Sequence, residues 1–363
     1  MKVLVGLSGG VDSTVATKLL IDSGRYDVTT CTLRLLPECT GKEAKDEATI
    51  EKAKAIAEKL GVSHIVYDCR NEFEQKVIGY FSNSYKIGQT PNPCYVCNSN
   101  IKFGLMLENS LKDGFEKIAT GHYAGIKEEI GIGTKIFRLL RGKDRQKDQS
   151  YFLSCLSQFQ LSHSLFPLAD LTKKEVKEIA FNANLVNEEI KESQDICFVD
   201  DGEYASFISS ISSLKDFPEG DFVDVNGNKV QKHKGLHYYT VGQRRGLNIA
   251  MGYPIYVIKK DAKTNTVIVG KKEELICHSL IAKNVNIIGK LPINEKIRIK
   301  AKTRYRQLEK DAYLMLKDDG LAIVEFLKND EAVATGQIVA FYVEDFCLGS
   351  GIIEETYCKN YYE

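Results

Sequence analysis

The chain has 363 residues, enough for two or three domains rather than one core, and its 43% hydrophobic and 27% charged residues are those of a soluble globular protein. Lys plus Arg equals Asp plus Glu at 49 each, so no overall charge excess announces a nucleic-acid partner and any basic patch must be local. No segment reaches the length of a membrane-spanning helix, MKVLVGLSGGVDS carries no small-residue cleavage site, and the ten cysteines are scattered; a reduced, cytoplasmic protein with no membrane partner is expected.

In chain order, KVLVGL reads as a buried strand, STVATKLLIDSG as a helix ending at Gly24, and VTTCTLRLL as a second strand. KEAKDEATIEKAKAIAEKLG is a long amphipathic helix closed by Gly61, VSHIVYDC a third strand, and EKIATGHY a fourth. Strands alternating with helices predict an α/β fold, a doubly wound parallel sheet whose ligands bind at the carboxyl ends of the strands. After about Asp200 the texture changes: FVDVNGNKV predicts a hairpin turned at Asn226-Gly227, and PIYVIKKDAKTNTVIVG predicts two strands around a polar turn. From Ile276 onward nearly every segment alternates apolar and polar, which predicts a small antiparallel barrel or sandwich. The expected division is 1–201, 202–274 and 275–363.

GLSGGVDST, Gly6 to Thr14, follows the first strand and opens the first helix. Gly9 and Gly10 let backbone approach an anion, and Ser8, Ser13 and Thr14 place hydroxyls at a helix N-terminus whose dipole favours negative charge. The loop lacks the Lys of a Walker A motif and the spacing of a Rossmann fingerprint; a mere tight turn is the bland alternative. It resembles the SGGxDS signature of the ATP pyrophosphatase superfamily, which grips the pyrophosphate of ATP and adenylates a carbonyl or carboxylate oxygen. On that resemblance Asp12 helps place a magnesium ion.

PNPCYVCNSN holds Cys94 and Cys97, a Cys-x-x-Cys pair that serves zinc, redox and iron–sulfur chemistry equally well, and no second such pair exists in the chain. ATGHYAG, LLRGKDRQKDQSYFL, LFPLADLTKKEV, SQDICFVD, HKGLHYYTVGQRRGL, KTRYRQ, TGQIVAFY and CLGSGI follow in order. With SGGVDS and TPNPCYVCNSNIKFG they closely resemble the bacterial tRNA-specific 2-thiouridylases from the first strand to Ile352. The resemblance implies an adenine nucleotide hydrolase-like catalytic domain, a small central domain and a C-terminal β-barrel, and replacement of the C2 oxygen of wobble uridine by sulfur. It implies ATP contacts at Gly6, Leu7, Ser8, Gly9, Gly10, Val11, Asp12, Ser13, Leu33 and Gly121. Cys197 would carry the sulfur as a persulfide, received from an upstream protein donor, and Cys97 would complete transfer, leaving a disulfide with Cys197. Such chemistry suits cysteines of lowered pKa. Better-known members carry Asp where this chain has Cys94, so three thiolates, Cys94, Cys97 and Cys197, could instead converge on a 4Fe-4S cluster with one iron open to hydrosulfide. Persulfide and cluster routes stay open at this stage, with a structural zinc site as the bland reading.

The same resemblance implies tRNA contacts at Asn92, Pro93, Cys94, His122, Lys147, Asp148, Gln149, Arg304, Tyr305 and Gln337, and lysine, glutamate and glutamine tRNAs as substrates bound by the anticodon arm. KIRIKAKTRYR places Lys296, Arg298, Lys300, Lys302, Arg304 and Arg306 at every second position. A strand would put all six on one face, a row of like charge that a polyanion relieves and that otherwise is a solvated face. HKGLHYYTVGQRRG mixes aromatics with cations, as surfaces that stack unpaired bases do. Two rival readings remain. A small-molecule ATP pyrophosphatase-type synthetase explains SGGVDS but leaves the cysteines idle, and a non-catalytic metal-holding RNA-binding protein leaves the phosphate loop idle.

Overall fold

The computed structural model describes residues 1–130, 135–185, 196–199, 203–210 and 218–358. The expected junction at 201/202 and part of the SQDICFVD motif lie outside them. The catalytic half is built on β1 (Lys2–Gly6), α1 (Val11–Asp22), β2 (Asp27–Arg34), α2 (Glu43–Lys59), β3 (His64–Asp68), α3 (Arg70–Phe73) and α4 (Gly79–Lys86). It continues through α5 (Pro93–Cys97), α6 (Met106–Lys112), β4 (Lys117–Ala119), the hairpin β5 (Ala124–Ile130) and β6 (Lys135–Arg141), α7 (Ser150–Leu153), α8 (Gln158–Ser162), β7 (Ser164–Leu165) and α9 (Lys173–Asn182).

Five strands form a parallel sheet in the order β3-β2-β1-β4-β7. β1 is apolar at successive positions because both of its faces are covered: Val3 and Val5 pack with Leu20 of α1, and Leu4 packs with Met106 and Leu107 of α6. The strand order reverses between β1 and β4, and the carboxyl ends of those two strands flank the crevice where such sheets bind ligands.

After α10 (Tyr204–Ser210), a central sheet is formed by β8 (Gly220–Val223), β9 (Lys229–His233), β10 (Tyr256–Asp261) and β11 (Thr266–Gly270), in the order β10-β11-β8-β9. Gly227 takes φ 83° in the predicted Asn226-Gly227 turn, a conformation that glycine adopts without a Cβ penalty. The last six strands are β12 (Ile276–Ile287), β13 (Lys296–Lys302), β14 (Lys310–Leu316), β15 (Ala322–Glu331), β16 (Ile338–Val343) and β17 (Phe346–Cys358). They run β12-β15-β14-β13-β16-β17, and β17 pairs back onto β12, which closes an antiparallel barrel. Its interior alternates small and large residues, Ala282, Ala301, Ala312 and Ala322 among Leu280, Ile299, Leu314, Val324 and Phe341.

Catalytic sheet and barrel share one core. β6 pairs with β17, Leu139 opposite Cys347, so the β5–β6 hairpin of the catalytic half extends the barrel's sheet. Tyr95, Tyr151 and Leu153 bury against Ile338, Ala340 and Tyr342. The Tyr151 hydroxyl donates to Ile338 O at 3.1 Å, and the Tyr95 hydroxyl meets Ser350 Oγ at 3.0 Å.

Candidate active site

The anion cradle is where the sequence places it. Gly10 is the N-cap of α1 and has no side chain to satisfy the first N–H groups, so the uncapped helix end offers its donors to a phosphate. Gly9 holds φ 70°, and a Cβ there would meet Lys52 side-chain carbons at 3.0 Å. Ser8 and Ser13 hydroxyls lie 3.3 Å apart, and the Ser8 amide donates to Ser13 Oγ at 3.2 Å, which folds Leu7–Gly10 over the helix end. Leu33, at the carboxyl end of β2, is half-buried beside the cradle's strand. Gly121 follows β4, and any Cβ on it would stand 2.7 Å from Asp12 C and Ser13 N, so only glycine lets this loop lie against the first turn of α1.

Asp12 points away from the helix axis into a fixed pair of donors: its Oδ1 accepts from the Tyr123 hydroxyl at 2.7 Å and from Lys173 Nζ at 2.6 Å. Neither partner was singled out in the sequence. Lys173 lies in the TKKEV stretch at the start of α9, where Thr172 and Glu175 form a reciprocal capping box that fixes the first turn.

The cysteine helix follows from local chemistry. Asn92 caps α5 by accepting from the Tyr95 amide at 3.1 Å, and Pro93 occupies the first helical position, where a missing N–H does no harm. Cys94 and Cys97, three residues apart, therefore share a helix face. Cys97 is 7% exposed, whereas Cys94 and Cys197 are reachable by solvent although protein surrounds them, as on the floor of a concave surface. Cys97 feels the charges of both Cys197 and Cys94, so the three predicted residues do come together. Lys45 Nζ reaches the Cys197 carbonyl at 3.5 Å.

One expectation about this trio fails. Burial pushes the Cys97 thiol up to about 12 and the Cys197 thiol up to about 11, and it raises Cys94 as well, so none has the lowered pKa that its chemistry suggested. Desolvation wins although Lys102 opposes it at all three sulfurs and Lys45 opposes it at Cys197 as well. Among the described residues, which include all three cysteines, no group of three His, Cys, Asp or Glu is placed to hold a single metal ion.

Of the expected RNA contacts, His122 is buried and bonded through Nδ1 to Thr120 Oγ1 at 2.8 Å. Burial, and then Lys102, hold its pKa well below the ordinary histidine value, so the ring is neutral at physiological pH. Asp148 faces inward: its carboxylate accepts from the Gly142 and Ser150 amides and the Ser150 hydroxyl. Gln149 accepts from the Tyr123 amide at 3.0 Å and donates its own amide to Tyr123 O, while Lys147 remains half-exposed. Gln337 donates to Pro91 O at 3.1 Å, and Thr90 N donates to Thr335 O, so a barrel loop holds the segment ahead of Asn92 and Cys94.

The row of six cations does not exist as a face. β13 ends at Lys302, which is buried with its ammonium 5.7 Å from the Tyr305 ring centroid, and Tyr305 in turn packs on Phe152. Arg304 turns inward and donates to Val241 O at 3.0 Å and to Ala332 O, bracing the central domain on the barrel. Only Lys296, Arg298 and Lys300 are exposed on the strand; Lys296 is paired with Glu325 at 2.6 Å, and Lys300 lies opposite Asp311.

An anion cradle at the switch point, with cysteines rather than acids beyond it, places the chain among nucleotide-hydrolase-type α/β enzymes that couple ATP to sulfur chemistry. Family models match nearly end to end: tRNA methyl transferase HUP domain over 1–201, tRNA methyl transferase PRC-barrel domain over 207–271, and aminomethyltransferase beta-barrel domain over 277–353. A tRNA-specific 2-thiouridylase of Treponema denticola is 56% identical over 98% of both chains. One of Halothermothrix orenii is 41% identical over 98% of this chain and 99% of its own. The chain belongs to the tRNA-specific 2-thiouridylase family. Among solved structures, a U34-tRNA thiolase of Methanococcus maripaludis with a [4Fe-4S] cluster is 18% identical at a TM-score of 0.36, covering 59% of this chain and 71% of its own; likeness that low does not extend to ligands.

Proposed function

We propose that this chain replaces the C2 oxygen of wobble uridine in tRNA with sulfur in an ATP-dependent reaction, through a persulfide on Cys197 and the thiol of Cys97. The observation that carries the reading is the pairing of a solvent-reachable Cys197 with a buried Cys97 inside one electrostatic neighbourhood. Cys197 can be loaded from outside by a protein sulfur donor, while Cys97 is kept from wasteful oxidation until it is needed.

The uncapped N-terminus of α1 binds the ATP phosphates as adenylate forms on the uracil oxygen and pyrophosphate leaves. Asp12, steadied by Tyr123 and Lys173, would help hold a magnesium ion, which would supply charge neutralisation on the phosphates. The terminal sulfur of the Cys197 persulfide attacks C2 and AMP departs. Cys97, as thiolate, then attacks Cys197 Sγ; the S–S bond to the uracil sulfur breaks, leaving 2-thiouridine and a Cys97–Cys197 disulfide that two electrons restore. Residues 1–201 hold ATP and the cysteines, and 202–274 with 275–363 present the anticodon arm of lysine, glutamate and glutamine tRNAs. The target base must leave the anticodon stack to reach Cys94 and its neighbours.

The test is nucleoside mass spectrometry on unmodified glutamate tRNA with ATP and metal-free, persulfide-loaded protein under anaerobic conditions. 2-Thiouridine is expected, and Cys97→Ser or Cys197→Ser should lower its yield by a factor of 100 or more, on the order seen when a catalytic nucleophile is lost. Product only from iron–sulfur-reconstituted protein supplied with sulfide would replace the relay with a cluster route.

A further inference from the structure

A second thiol pair lies far along the chain from the first. Cys277 is the second residue of β12, Cys358 ends β17, and the two stand directly opposite each other in the antiparallel register that closes the barrel. Opposite residues on antiparallel strands point to the same face with Cα atoms roughly 4.5 or 5.5 Å apart, depending on the kind of pair. Both separations fall inside the roughly 4.4–6.8 Å span of disulfides. The thiols are free and hydrogen-bonded to each other, Cys277 buried and Cys358 half-exposed. Cys277 Sγ also lies 3.1 Å from Ser279 O, and no step of uridine thiolation uses either sulfur.

We propose that Cys277 and Cys358 form a reversible dithiol/disulfide site that reacts with low-molecular-weight disulfides, independently of the Cys97–Cys197 relay. Cys358 is the attacking group. Its pKa is drawn below the ordinary thiol value, first by the S–H of Cys277 donating to it and further by Thr356 and Lys259, while the same bond and burial push Cys277 far up. By contrast the other solvent-reachable thiols, Cys39, Cys94 and Cys197, are all raised. The Cys358 thiolate attacks a disulfide RSSR, forming Cys358–S–SR and releasing RS⁻. Cys277 then loses its proton and attacks the Cys358 sulfur, releasing the second RS⁻. Two protein thiols are oxidised by two electrons and one external disulfide is reduced to two thiols.

The bond would staple the first strand of the barrel to its last, beside a polar network. Cys277 also pairs in register with Asp330, whose carboxylate accepts from Thr303 Oγ1 and Gln307 Nε2, on either side of Arg304 and Tyr305.

Fully reduced whole protein is incubated with hydroxyethyl disulfide at pH 6, 7 and 8, quenched with acid and peptide-mapped. A linked peptide joining Cys277 to Cys358 is expected, formed about tenfold faster at pH 8 than at pH 6 as Cys358 ionises. Cys277→Ala should stop at the mixed disulfide on Cys358. Cys358→Ser, a change at a half-exposed strand end, should leave Cys277 unmodified and 2-thiouridine formation by reduced protein unchanged. Modification of Cys277 at the wild-type rate in Cys358→Ser, or wild-type protein that halts at mixed disulfide, would overturn the proposal.

Discussion

At the scale of single residues, Lys102 acts on every thiol of the trio, a role the sequence did not show although the residue lies within the TPNPCYVCNSNIKFG motif. It stands five positions after Cys97, which in an α-helix of about 3.6 residues per turn would point it well away from the thiol. The backbone from Asn98 to Leu105 is instead π-helical, and with bonds running from i to i+5 the same spacing brings Lys102 back to the face of Cys97. Its ammonium lowers the pKa of Cys94, Cys97 and Cys197 against the larger effect of burial, and it also discourages a charge on His122. Lys102→Met should therefore raise the Cys97 pKa further and slow both its alkylation and single-turnover thiolation about tenfold at neutral pH, the effect of about one pKa unit. The KM for ATP should not move, and Lys102→Arg should recover most of the rate. Alkylation kinetics that match the wild type would remove Lys102 from the sulfur chemistry.

At the scale of elements, β1, α1 and β2 were legible because each is a local pattern: an all-apolar strand, a glycine-rich turn and a helix with a glycine after its end. Gly121 was read as an ATP contact, and the structure adds a packing reason for it, the close approach to Asp12 and Ser13. Gly121→Ala should displace the first turn of α1, weaken ATP binding at least tenfold by calorimetry, and lower unfolding stability by about 1–3 kcal/mol. Gly24→Ala is the matched control: φ is 62° but nothing lies within 4 Å of the added Cβ, so about 1 kcal/mol should be lost with ATP affinity intact. Equal ATP affinity in both variants would mean that the loop and the helix do not act together. The β5–β6 hairpin was not read as strands at all. Its charged stretch gives little local signal, and its edge is settled by Leu139 and Leu140 pairing with Cys347 and Phe346, some two hundred residues away. For the same reason the basic run of β13 misled: alternation was right up to Lys300, but the strand's end at Lys302 and the inward turn of Arg304 depend on Tyr151, Val241 and Ala332.

At the scale of the whole molecule, no helix among the described residues is long and apolar enough to cross a membrane, and equal numbers of acidic and basic side chains leave RNA binding to local placement of charge. The barrel strand that looked most basic is largely neutralised by its neighbours, Glu325 beside Lys296 and Asp311 opposite Lys300. In the central domain Lys229 pairs with Asp221 and Lys232 lies near the same carboxylate, whereas Arg244 and Arg245 stand exposed in the turn that precedes Leu247. A polyanion binding there releases counterions from the phosphates it brings, whereas one binding along β13 must first displace protein carboxylates. Arg244→Ala with Arg245→Ala should accordingly weaken tRNA binding and flatten the plot of log affinity against log salt by roughly 1.4–1.8, the loss of two phosphate contacts, with ATP affinity unchanged. Lys296→Ala should leave that slope where it was, because Glu325 already holds the charge. If the slopes respond the other way round, the anticodon arm lies along the barrel strand, and the carboxylates of β14 and β15 must move to admit it.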